Sequence, residues 1–318
     1  MNPGRSCPLG YRYDPSVFHA AAEVRCEVLY VVGGLYGNEP ALDAVIEAFE
    51  REPGARRLVF NGDFNWFDID PRSFRRVNER VLEHDALRGN VESELAATDD
   101  DAGCGCGCGY PAWVEDDVVE RSNAIMRRLR ETAQGFPALV QRLVGLPMWR
   151  RVDVGGARIA IVHGDAESLA GWGFAQEQLR EPSHRARVQG WFERAGVDAF
   201  ASSHTCLPVF DAFGSAAAQR GGLVLNNGAA GMPNFRGCRE GLLTRIALHP
   251  YAGRERRFGL LRGELHVDAI AIPYDVERWE QSFLMQWPPG SDAHASYWSR
   301  LANGPDHQLA DASRTGID

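Results

Sequence analysis

The chain lacks any apolar run approaching the ~20 residues needed to cross a bilayer, so no membrane role is expected. It also lacks, at its N-terminus, a charged region followed by an apolar stretch and a small-residue cleavage site, which makes the cytoplasm the expected compartment. Basic stripes are missing. Arg-rich spots such as Arg56-Arg57 and Arg254 to Arg257 are short, the formal charge is -9, and neither suits a surface that coats nucleic acid. Cysteine is too scarce and too unevenly placed for a secreted disulfide scaffold: three of the seven fall in Gly103-Cys104-Gly105-Cys106-Gly107-Cys108-Gly109 and the rest are scattered. No internal repeat is visible.

What remains is an ordinary globular composition over 318 residues, enough for a substantial core and read here as a single domain over 1–318. Residues 27–33 read as a buried strand leading into Asn38-Glu39-Pro40, an N-cap followed by Pro in a first helical turn. Leu42, Val45, Ile46 and Phe49 then recur at helical spacing. Residues 57–61 form the next strand, and a helix with Phe74, Val77, Val81 and Leu82 on one side follows. Such alternation predicts parallel crossovers, with ligands gathering at the carboxyl edge of the strands. Residues 96–146 interrupt the pattern with an acidic stretch, the Gly/Cys repeat and a helical stretch from about 116, and are expected as an insertion serving as a lid. Strands return at 151–154, 158–162, 198–202 and 223–226, with those near 242–248 and 264–271 expected to close the second sheet. The Pro- and Gly-rich tail over 288–318 is expected to be loosely held, and the aromatic segments near 279–298 leave a homo-oligomer open.

Four pieces stand at the ends of strand-like runs: Gly62-Asp63, Gly89-Asn90, His163-Gly164-Asp165 and Ser203-His204-Thr205. Asp63, Asn90, His163 and His204 together offer two oxygen and two nitrogen donors, a set that suits Mn, Fe, Zn or Co better than Ca. Alone, either histidine would more often be structural. Asp165 reads as a turn residue, His84, His184 and His266 have no placed partner, and Trp172, Trp191, Trp279 and Trp287 read as packing.

In this order, the pieces resemble the calcineurin-like metallophosphoesterase family. Its signature runs Asp-x-His, Gly-Asp, Gly-Asn-His-Asp/Glu, a lone His, and Gly-His-x-His. The resemblance covers roughly residues 27 to 250 without the insertion, and Asn38 with Asn226-Asn227-Gly228 is similar to loops of the family's small phosphodiesterase branch. It implies an α/β fold, a two-sheet sandwich with helices on its outer faces and loops at the strand ends holding two metals. Asp63 would bridge them, and Asn90, His163 and His204 would complete the shell of the second. Where the first metal expects ligands, this chain has Gly34, Tyr36 and Cys206, and Val91 replaces a His that protonates the leaving group.

The resemblance thus implies hydrolysis of a phosphodiester or phosphomonoester by metal-activated water, with Asp63, Asn90 and His204 as catalytic residues, one or two transition-metal ions per chain and a small phosphorylated substrate. Tyr36, Asn38, Asn65 and Glu92 are the expected phosphate or substrate contacts, although Tyr36 would equally serve as packing. Cys104, Cys106 and Cys108 either fold over the site and join Cys206 as thiolate ligands or belong to an inert Gly-rich insertion. Two rival readings keep the fold without the reaction: a regulatory protein that senses a metal or phosphorylated ligand, and an accessory protein for metal or sulfur chemistry.

Overall fold

Val28, Tyr30 and Val32 in Val28–Val32 (β2) face one way, Leu29 and Val31 the other, and all five are buried. A strand apolar on both faces belongs to a sheet covered on both sides, because successive side chains alternate across the pleat. That sheet has six strands, in the order Arg256–Arg262 (β11), Leu265–Ile272 (β12), Gly241–Ala247 (β10), β2, Arg56–Asn61 (β3) and Asp85–Leu87 (β4). β2, β3 and β4 run parallel, and the other three are antiparallel. A second sheet orders Val24–Cys26 (β1), Trp149–Val154 (β5), Ala157–Val162 (β6), Ala199–Ser202 (β7), Leu223–Asn226 (β9), Val209–Ala212 (β8) and Ser313–Arg314 (β13), with β6, β7 and β9 parallel. This computed structural model describes residues 3–5, 8–22, 24–97, 104–214 and 222–314.

Three apolar layers hold the sandwich together. Leu29, Val31, Val59, Ile159, Ile161 and Leu225 pack between the sheets. The outer face of the six-stranded sheet is covered by helices Glu39–Glu50 (α1), Pro71–Val81 (α2), Asp116–Ala133 (α4), Pro137–Val144 (α5) and Val276–Gln286 (α7), among them Phe74, Ile125 and Phe283. Phe18 and Trp191, the latter from Pro182–Ala195 (α6), cover Phe200 on the other sheet. Local signals explain the helix starts. Asn38 caps α1 by accepting from the Ala41 N–H at 3.0 Å with Pro40 behind it, and Asp70 caps α2.

Two expectations change. The strands near 242–248 and 264–271 were assigned to the second sheet, but β10 pairs with β2 and β12 with β10 in the first. Both faces carry apolar residues, and the buried charges Arg245 and Asp268 are paired with each other, so the two strands fill a central place: Leu243 and Ile270 join the outer layer, Ile246 and Val267 the inner one. The tail expected to hang loosely carries the helices Asp292–Asn303 (α8) and Leu309–Ala312 (α9). Ala293 and Leu301 of α8 are buried, Tyr297 meets the Phe67 ring at 5.0 Å, and Trp298 stacks on Phe283. Pro and Gly at 288–290 lead into this helix, and its inward residues follow helical spacing. Trp279 and Trp287, read from the sequence as packing, are buried in the chain's own core. Residues 98–103 of the insertion and 315–318 of the tail lie outside the described residues. No helix of the described residues is long and apolar enough to cross a membrane.

Candidate functional site

Four strand ends meet at one edge of the sandwich. Asp63 follows β3 through Gly62, and Asn90 opens the short helix Asn90–Glu94 (α3) after β4, so both come from the six-stranded sheet. His163 follows β6 and His204 follows β7, so both come from the seven-stranded one. His163 Nε2 lies 3.2 Å from Asp63 Oδ2, 3.2 Å from Asn90 Oδ1 and 3.3 Å from His204 Nδ1. All four side chains are buried.

Their far atoms are held by the main chain. His163 Nδ1 donates to the Asn61 carbonyl at 2.7 Å, His204 Nε2 to the Cys108 carbonyl at 2.9 Å, and Asn90 Nδ2 to the Cys106 carbonyl at 3.0 Å. Each bond settles which atom turns inward, leaving Nε2 of His163, Nδ1 of His204 and the amide oxygen of Asn90 facing the Asp63 carboxylate. Burial opposes charge on Asp63 and on His163, but their mutual attraction prevails: the carboxyl is held below its ordinary value and the imidazole above. Burial, reinforced by His163, pushes His204 down to about 4. Three acceptors thus converge on one ring nitrogen, a point that calls for a proton or a cation. Among the described residues, Asp63, His163 and His204 are the group of His, Cys, Asp or Glu whose ligand atoms all lie within 4.8 Å of one another. The donor chemistry fits a borderline transition metal.

Glu92, Asn65 and Asn38, expected as phosphate contacts, are framework instead. The Glu92 carboxylate accepts from the Asp63 N–H at 2.8 Å, the Gly89 N–H at 2.9 Å and Asn65 Nδ2 at 3.1 Å, tying two ligand loops together. Burial and then the Asp63 charge push Glu92 upward. Asn65 also exchanges hydrogen bonds with Asn78, and Asn38 divides its amide between the α1 cap and the Gly231 carbonyl at 2.9 Å. Their polar groups are occupied by the fold and fully buried, so none lines the cavity.

That cavity, about 200 Å3, opens beside the converging side chains and is lined by Asp63, Asn90 and His204 together with Tyr36, Cys206 and Arg300. The Tyr36 hydroxyl and the Cys206 sulfur share a hydrogen bond of 2.8 Å. Tyr36 (φ 56), Asp63 (φ 52) and Cys206 (φ 60) are the non-glycine residues with positive φ among those described, and all three line this cavity. Backbone held in that region costs energy and collects at functional sites.

Of the two readings left open for the Gly/Cys loop, thiolate ligands or an inert insertion, the structure matches neither in full. Cys106 and Cys108 are joined as a disulfide, which leaves neither a thiolate, and Cys104 is a separate free cysteine. The loop contributes carbonyls instead, and it is pinned: the Cys106 N–H donates to Asn123 Oδ1 at 2.9 Å and Arg130 donates to the Gly105 carbonyl at 2.8 Å. Trp172, read as packing, is a site residue. Its indole N–H donates to the Cys108 carbonyl at 3.0 Å, and its ring meets His204 edge-on at 5.5 Å. Asp165 is a turn residue, accepting from the N–H groups of Glu167, Ser168 and Gly173. Sequence reasoning also missed Tyr110, Tyr297 and Arg300. The signal for the last two was the helical spacing of Ala293, Tyr297 and Leu301.

No protein-family model matches the chain, and no curated protein matches it. Solved structures do. A hypothetical protein of Pyrococcus horikoshii OT3 superposes with a TM-score of 0.59 at 17% identity, over 89% of this chain and 100% of the other. A metallophosphoesterase from Sphaerobacter thermophilus superposes with a TM-score of 0.54 at 16% identity, over 87% of this chain and 100% of the other. Two mixed sheets with helices outside them are therefore an α/β sandwich of the metallophosphoesterase type.

Proposed function

We propose that this protein is a divergent calcineurin-like metallophosphoesterase that hydrolyses a phosphoric ester at a site built for one transition-metal ion. The observation that carries this reading is the convergence of Asp63, Asn90, His163 and His204, each oriented by the main chain, beside a cavity of about 200 Å3. Asp63 is the sole anionic member of the set, so a dication bound there keeps a net positive charge that attracts a phosphoryl group. The bound ion supplies Lewis-acid stabilisation of phosphoryl charge and acidifies water. The protein's part is to hold those donors rigid. Glu92 clamps the Asp63 and Gly89 loops, the Val91 N–H holds Asp63 Oδ1 at 3.2 Å, and Trp172 with the Cys108 carbonyl fixes His204.

The test is metal content by mass spectrometry together with hydrolysis of 4-nitrophenyl phosphate and bis(4-nitrophenyl) phosphate. About one ion per chain is expected, lost in His204→Ala, with turnover falling on the order of 10³-fold in Asp63→Asn. Wild-type protein without metal after anaerobic purification and reconstitution would sink the reading. A second reading, a phospho-ligand sensor, is favoured by the Tyr36–Cys206 pair filling the place where the resemblance puts another ion's ligands. Metal and phosphate binding without turnover would select it.

A further inference from the structure

One side chain on the cavity wall has no part in the proposed function. Arg300 reaches in from α8, its Nε donating to the Pro233 carbonyl at 3.1 Å and its Nη2 to the Cys206 carbonyl at 2.9 Å. Two neutral carbonyls position a guanidinium without neutralising it. Arg130, Arg185 and Arg245, buried or half-buried, each meet a carboxylate, at 3.1, 2.8 and 2.8 Å, whereas the half-buried Arg88, away from this cavity, is like Arg300 in bonding a carbonyl. Among the described residues Arg300 meets no carboxylate. A charge withdrawn from bulk water and left without a counter-ion is costly unless something anionic joins it.

The cavity sets what that anion is. Arg300 shares its wall with Asp63, Asn90 and His204, so an anion there spans a metal-type donor cluster and a planar fork of N–H donors. Guanidinium matches the paired oxygens of phosphate. A volume of about 200 Å3 holds a phosphoryl group with a small part of its substituent. Trp66, Trp172 and Tyr297 line the same space, an apolar and aromatic surround for whatever the phosphoryl carries.

We propose that Arg300 is the second anion anchor of this site and that it selects phosphomonoesters, with a flat or apolar substituent against the aromatic wall, over phosphodiesters. A monoester dianion presents enough free oxygens for both anchors and a single substituent to accommodate. A diester carries one charge and two substituents. This rests on the proposed function for the reaction, and on Arg300 alone for the class of substrate.

The experiment is calorimetric titration of inorganic phosphate into metal-reconstituted wild type, Arg300→Lys and Arg300→Gln, with metal content and melting temperature measured for each. Unchanged metal content, phosphate affinity falling roughly 10- to 100-fold in R300Q, and partial rescue in R300K are expected. The preference for 4-nitrophenyl phosphate over its diester should fall in R300Q as well. Equal phosphate affinity in R300Q and wild type overturns the anchor and leaves the hydrolase reading standing. So does equal loss in R300K and R300Q with matching drops in melting temperature, since that marks a tether for α8. If phosphate binding follows the charge at 300 but no variant turns over ester, the anchor holds and the hydrolase reading fails.

Discussion

Gly34 and Tyr36 are a matched pair. A Cβ at position 34 would land on the Tyr36 ring, and the Tyr36 hydroxyl is engaged with Cys206, so the three residues that depart from the pattern the chain resembles form one packed unit. Burial pushes the phenol upward, and it stays protonated as a hydrogen-bonding filler. Reinstating one ligand at a time should therefore fail. Gly34→Asp alone is expected to cost about 1–3 kcal/mol through overpacking and to bind no extra metal. The triple change Gly34→Asp, Tyr36→His, Cys206→His is expected to raise metal content toward two ions per chain. Thermal melts and metal analysis check both, and a Gly34→Asp protein as stable as wild type would show the pair is not coupled. The identities of Gly34, Tyr36 and Cys206 were legible as departures. Their mutual contact was not, because 170 residues separate Tyr36 from Cys206 and no periodicity links them.

At the scale of elements, the Gly/Cys loop has the most to explain. Gly105, Gly107 and Gly109 all have positive φ (58, 67 and 60), so glycine at every second position is a conformational requirement. A Cβ at 107 would meet Glu94 and the Tyr11 hydroxyl. The turn so formed aims the Cys106 and Cys108 carbonyls at Asn90 and His204. Gly107→Ala is expected to strain the loop by about 1–3 kcal/mol and to weaken metal affinity roughly tenfold or more, read by competition with a chelator. Unchanged affinity would mean that the loop does not orient the ligands. Caps and apolar spacing made α1, α2 and the strand ends legible, and with them the four side chains that converge there. The loop was read for its sulfur, since side chains are what a sequence displays. α8 was hidden because its Pro- and Gly-rich approach looked like a tail.

Across the whole molecule, the four converging side chains join the two sheets: Asp63 and Asn90 from one, His163 and His204 from the other. A metal bound there is a clasp across the open edge of the sandwich, and its binding energy adds to folding as RT ln(1 + [L]/Kd). Chelation is expected to lower the melting temperature by several degrees and to have no effect on Asp63→Ala, as measured by scanning calorimetry. An equal shift in both proteins would place the stabilising ion elsewhere. The sheet order was only partly legible. Alternating strands and helices indicated parallel neighbours, but β10 and β12 carry apolar residues on both faces and fit a central place in either sheet. The three carbonyls of Asn61, Cys106 and Cys108 that aim the ligands carry one more consequence. Alanine scanning cannot delete a peptide oxygen, so a survey of point mutants at those residues would pass over the contacts that orient the centre. Provided the glycines between them keep the turn, the side chains at 61, 106 and 108 can drift while the hydrogen-bond acceptors stay in place, so the orienting contacts are carried by the backbone and not by the letters at those positions.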